Sequence, residues 1–171
     1  HSQEQELLRD YLMGEELNTL DDSLRTFLIN IAPLQSFNES LCNQVLSVDD
    51  SSHWLQQLVH FNVFISNIEQ RPGWYSLHPL IVEILASLNT QQQRKQTHLL
   101  AFEYLKEHDF RIEAMQHARL GELTEDAVKW VENEIDSIIA DLNFSEVLAW
   151  CDIAGHEIIE RSLRLQLMQI W

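Results

Sequence analysis

Between residues 26 and 70 the chain has no lysine and no arginine. A nucleic-acid surface built from that stretch would lack its main source of affinity, the neutralisation of phosphates. The shortage extends to the whole chain, with 11 basic against 27 acidic residues and a formal net charge of -16. Such a field repels phosphate backbones and anionic lipids alike. Four glycines and three prolines in 171 residues are too few for the tight turns of a sandwich or barrel, so a mainly helical protein is expected. No apolar run approaches the length of a membrane span, and no signal peptide opens the chain. Two cysteines, Cys42 and Cys151, stand far apart and outside any CxxC or zinc-like spacing; they read as reduced thiols in or near the core of a cytoplasmic protein.

The motifs of catalysis are missing as well. There is no P-loop, no GxGxxG, no GxSxG elbow and no HExxH. His53, His60, His98, His108, His117 and His156 are scattered. His53 and His60 share a helix face, but a metal needs three or four converging ligands. The acidic pairs Glu122 with Glu125 and Glu132 with Asp136 read as solvated surface rather than acid/base partners. Trp54, Trp74, Trp130 and Trp150 fall at packing positions. The chain therefore reads as no enzyme.

What is present is 45% hydrophobic residues, spaced for helices. Residues 4–18 place Leu7, Leu8, Tyr11, Leu12 and Leu17 near helical spacing. A second helix follows Asp21–Asp22–Ser23, good N-cap chemistry, carries Leu24, Phe27, Leu28 and Ile31, and ends near Pro33. Asn38 caps a third, with Leu41, Cys42, Val45 and Leu46. Asp49–Asp50–Ser51–Ser52 opens a fourth, with Trp54, Leu55, Leu58 and Val59 facing inward. Residues 62–68 then turn β-branched and aromatic, Gln70–Arg71–Pro72–Gly73 is turn chemistry, and 74–77 returns. This predicts one β-hairpin, pairing 63–68 with 74–77, and a helix from Pro79. Helices closed by a hairpin wing make a winged-helix domain, at residues 20–88. Residues 89–171 read as an α-helical, solenoid-like arm of helices at 90–108, 110–120, 123–140, 143–154 and 157–171, joined by short links that imply antiparallel neighbours. Residues 1–19 finish a preceding helical linker.

One residue stands apart. In WYSLHPLIVEIL (74–85) a strand runs into His78, then Pro79, then an apolar helix. Proline favours the first helical position, so His78 sits at the N-cap, beside unpaired backbone donors and the positive end of the helix dipole. That spot suits a phosphate. Equally, His78 could simply cap the helix or fill the hairpin–helix junction.

Several stretches, in order, resemble the MalT-like subgroup of large ATP-binding LuxR-family transcription regulators, which are signal-transduction ATPases. They are YLMGEELNTLDDSLRTFLINIAPLQSFNESLCNQVL, LQQLVHFNVFISNIE, WYSLHPLIVEIL, AFEYLKEHDFRIEAMQHARLGELTEDAVKWVE and VLAWCDIAGHEIIERSLRLQLMQIW. The resemblance implies a winged helix plus arm from a longer regulator, without the Walker motifs or the DNA-binding helix-turn-helix. It implies ATP or ADP in the parent protein and no cofactor in this piece. The implied partners are the parent's nucleotide-binding and sensor domains, with a protein or peptide partner on the arm as a further option. Direct nucleic-acid binding and membrane association are not expected. In such ATPases a Met-His-Asp-like motif places a histidine on the β-phosphate of ADP and holds the protein closed. Leu77–His78–Pro79 is similar to that triplet, and only His78 carries over; Pro79 departs from it. A helical-repeat scaffold for another protein is the alternative reading.

Overall fold

The computed structural model describes residues 2–11, 15, 17–61, 64–141 and 143–170. The chain divides into two compact units, His1–Gln93 and Arg94–Trp171, and is mainly α-helical.

The first unit opens with α1 (Ser2–Tyr11) and α2 (Leu17–Thr19). Of the helix expected over 4–18, these two stretches are helical, and residues 12–14 and 16, Leu12 among them, lie outside the described residues. Leu7 is 70% exposed and Tyr11 also faces out, while Leu17 is buried. α3 (Asp22–Ile31) buries Leu24, Phe27, Leu28 and Ile31, the four predicted positions. The chain then tightens into a 3-10 turn, Ala32–Leu34, with Pro33 inside it.

β1 (Ser36–Phe37) follows, a strand not foreseen. Two residues are too short to show an alternating pattern, and they stand directly before the cap of α4 (Glu39–Leu46). Asn38 Oδ1 accepts the Leu41 N–H at 2.8 Å, as its N-cap chemistry predicts. In α5 (Ser51–Phe61), Leu55 and Leu58 are buried, but Val59, expected inside, is 38% exposed. Trp54 is half-buried and stacks on Phe27 at 6.2 Å.

β2 (Ile65–Asn67) and β3 (Tyr75–Leu77) form the wing. They pair antiparallel, Ile65 with Leu77 and Asn67 with Tyr75. Ile68 N–H donates to Trp74 O at 2.9 Å, extending the ladder toward the turn. Val63 lies outside the described residues. The single hairpin expected is instead a three-stranded sheet in the order β1-β3-β2, because β1 pairs with the other edge of β3. At the wing turn Gly73 has φ +79, a conformation that glycine adopts at little cost. The Arg71 guanidinium lies 3.8 Å above the Trp74 ring. α6 (Pro79–Ala86) starts at the predicted proline and packs on α3 and the 3-10 turn.

α7 (Gln91–Glu107) begins with a capping box. Thr90 Oγ1 accepts the Gln93 N–H, and Gln93 Oε1 accepts the Thr90 N–H, which satisfies two end donors reciprocally. The second unit continues with α8 (Arg111–Leu120), α9 (Thr124–Ala140), α10 (Phe144–Arg161) and α11 (Leu163–Met168). α10 packs on α8, α9 and α11. Ala101, Ala114, Ala118 and Ala127 are fully buried and let the helix backbones approach. The aromatic core runs from Phe102 to Trp130 (5.5 Å) to Trp150 (4.7 Å), and Trp150 Nε1–H donates to Arg111 O.

Two features depart from the expected helix boundaries here. α10 kinks at Gly155, whose φ 75 and ψ 169 are non-helical; the predicted link at Gly155–His156 survives as a kink within packed helix. The expected helix 157–171 is broken at Ser162, which is extended. Ser162 Oγ donates to Glu132 Oε1 at 2.7 Å and accepts the Leu165 N–H. The serine thus leaves one helix to cap the next, as serines compete for backbone groups at helix ends. Leu142 and Trp171 lie outside the described residues.

Candidate functional site

His78 is the N-cap of α6, as the His-Pro pair predicts. Its backbone is extended (φ -60, ψ 135), and its Nδ1 accepts the Leu80 N–H at 3.3 Å. Its carbonyl accepts Ile81 N–H at 2.9 Å and Val82 N–H at 3.1 Å, and Pro79 has no N–H to offer. The expectation of unpaired backbone donors at this helix end is therefore corrected: His78 itself takes them all. The dipole of the helix remains, and so does the outer ring nitrogen. Because Nδ1 accepts, the neutral imidazole carries its proton on Nε2, and the side chain is exposed. The site offers one outward N–H donor at a positive helix end.

The junction that holds His78 is strained on both sides. Gln35 (φ 66) and Phe64 (φ 70) are non-glycine residues in left-handed backbone, which is sparsely populated for ordinary side chains. Their carbonyls accept the two successive N–H groups before α6: Gln35 O from Leu77 at 2.9 Å, and Phe64 O from His78 at 3.2 Å. Distortion of this kind persists only where surrounding structure over-determines it, and it clusters at functional sites. Behind it Phe37, Leu77, Ile81 and Leu85 are buried, so the cap rests on a packed base.

Other sequence candidates resolve into structure. His53 faces Gln57 across one helical turn and packs on Trp54. No group of three or more His, Cys, Asp or Glu able to hold a metal occurs among the described residues. Glu122 pairs with Lys95 rather than with Glu125. Glu132 and Asp136 both hold Arg164, so these carboxylates anchor α11 to α9. Cys42 and Cys151 are buried free thiols, both raised first by burial and then by a nearby carboxylate, Glu39 and Asp152 respectively.

Sequence reading missed two features. His98 and His117, nineteen residues apart, meet in the second unit with Nδ1 to Nδ1 at 2.9 Å. A cavity of about 400 Å³ lies between α10 and α11, lined by Phe144, Val147, Leu148 and Met168; Phe144 and Leu148 are exposed around it. Neither has a local motif, since each forms only when separate helices pack.

Residues 13–97, which contain the three-stranded sheet and His78, match the MalT winged helix domain. The chain is MalT-like. The MalT-like similarity also appears in whole relatives. The HTH-type transcriptional regulator MalT of Vibrio cholerae serotype O1 is 32% identical over 121 residues, covering 69% of this chain and 13% of that protein. The regulator of the same name from Cronobacter sakazakii is 29% identical over 114 residues, covering 65% of this chain and 13% of that protein. The MalT-like chain thus spans a small part of these relatives. No helix among its described residues is long and apolar enough to cross a membrane.

Proposed function

We propose that this chain is a regulatory piece of a LuxR-family transcription regulator in which the winged helix couples nucleotide state to activation. In this reading His78 holds the ADP-bound resting state, and the arm passes its release to the sensor domain of a cytoplasmic parent protein. The observation that carries it is the division of labour in one ring. Nδ1 is spent on capping α6, and Nε2–H points outward at the positive end of that helix. A terminal phosphate oxygen of ADP is a fitting acceptor for such a donor. A nucleotide shifts the closed–open equilibrium only by its differential affinity for the two states, and a contact made in the closed state alone provides that difference.

The test separates capping from sensing. His78→Ser keeps N-cap chemistry but cannot reach the phosphate; His78→Ala removes both. In the parent protein, losing one hydrogen bond to a charged group, worth about 1.5–3 kcal/mol, speeds ADP release about 10- to 150-fold in both variants and raises basal transcription. ADP release from His78→Ser at the wild-type rate makes His78 a cap only.

A second reading is favoured by the cavity at Phe144, Leu148 and Met168: a helical scaffold that grips a protein segment. The net charge of -16 selects a basic, amphipathic helix as the guest. Saturable binding of such a peptide that Leu148→Asp abolishes supports this reading; equal binding by both proteins removes it.

A further inference from the structure

We propose that His98 and His117 form an acid-sensitive latch that holds α7 against α8 and opens when the pair takes up its second proton. The two residues are 6% and 5% exposed, and their rings lie with centroids 5.1 Å apart at 40°. Their Nδ1 atoms are 2.9 Å apart. A contact of that length holds one proton: one ring donates Nδ1–H and the other accepts. The donor ring then has a bare Nε2, and the acceptor ring carries Nε2–H. A first added proton takes the bare Nε2, and the Nδ1–H···Nδ1 bond survives. A second finds no lone pair except the Nδ1 already inside the bond. Taking it breaks the bond and sets two cations side by side.

The surroundings make even the first proton costly. Arg94 stands one turn before His98 on α7, and Glu113 one turn before His117 on α8. Lys95 pairs with Glu122 of the following turn, Arg119 reaches to Ile153 O, and Glu125 and Asp126 open α9 on its exposed side. Burial first, then Arg94, lowers His98 to about 4; burial first, then His98, lowers His117 to about 3. The turn is closed tightly over the pair, because a Cβ at Gly121 would lie 2.8 Å from His98 Cβ. Water therefore reaches the rings only when the helices separate.

The direction of the effect follows from linkage. The opened rings bind protons near 6.5 and the closed pair does not until well below. The latch is fully closed above pH 6.5 and loses stability as the pH falls toward the folded values. With two protons taken up on opening, the opening constant rises by up to about 100-fold per pH unit in that window.

The experiment is amide hydrogen exchange on the full chain between pH 7.5 and 4.5, corrected for intrinsic exchange. Amides of residues 98–121 are expected to lose protection by up to about 100-fold per unit below pH 6.5. His98→Gln is expected to reduce that to about tenfold or less. Equal slopes for wild type and His98→Gln overturn the latch. If the variant does not fold, histidine ring ¹⁵N shifts of the wild type decide. One ring protonated at Nδ1 and the other at Nε2, both neutral at pH 5.5, supports it; two rings titrating independently near 6.5 overturns it.

Discussion

The imidazole at position 78 caps α6 through Nδ1, and in the proposed function Nε2–H is the group that meets a phosphate. The cap was readable in the sequence because proline after a histidine fixes both the helix start and the residue before it. The use of every backbone donor by His78 itself was not readable, since it depends on the φ and ψ of the cap. The histidine pair was wholly hidden: His98 and His117 belong to different helices, and nothing local marks them. Other side chains at this scale give sharp expectations. Asn38→Ala removes the acceptor for the Leu41 N–H and should cost about 1 kcal/mol in chemical denaturation, the usual loss for such a cap. Cys42 is fully buried with its thiol pushed well up, chiefly by burial. It should resist iodoacetamide in the native chain at pH 8 and react once denatured, because the thiolate is the nucleophile. Labelling of native Cys42 at the denatured rate would contradict that burial.

Helices with strong start signals were foreseen closely: α4 after Asn38 and α6 at Pro79 to the residue, and α3 at the Asp21–Asp22–Ser23 cluster, where it starts at Asp22. Elements defined by partners rather than by their own sequence were not. β1 is two residues whose only reason to be a strand is the free edge of β3. The break at Ser162 depends on Glu132, thirty residues earlier. The kink at Gly155, by contrast, falls at the glycine where a link between helices was expected, though the chain stays helical on both sides of it. Its φ 75 and ψ 169 fall in a region essentially reserved for glycine, although a Cβ there would meet nothing closer than Arg119 Nε at 3.5 Å. Gly155→Ala should therefore destabilise by backbone strain of about 1–3 kcal/mol, read as a lower denaturation midpoint. Trimming Arg119 should not rescue it, since crowding is not the cause; rescue by Arg119→Ala would show that it is.

For the chain as a whole, charge makes the clearest statement. A winged helix invites the expectation of DNA binding, yet α5 contains no lysine or arginine and the net charge is -16. The chain at micromolar concentration should not shift duplex DNA even near 20 mM salt, roughly where attraction to phosphates is strongest. A shift that fades steeply with added salt would show a basic surface that the fold does not display. The sheet has a different consequence, for the order in which the protein is made. β1 at residues 36–37 can close only on β3 at residues 75–77. At about 5–20 residues per second, β1 leaves the ribosome about 2–8 s before the strand it pairs with arrives. During that interval Phe37 and Leu41, fully buried in the finished domain, have only helical neighbours to shield them. The His78 cap is written immediately after β3, so the strand that closes the sheet and the cap that starts α6 leave the ribosome together, ahead of α6 itself.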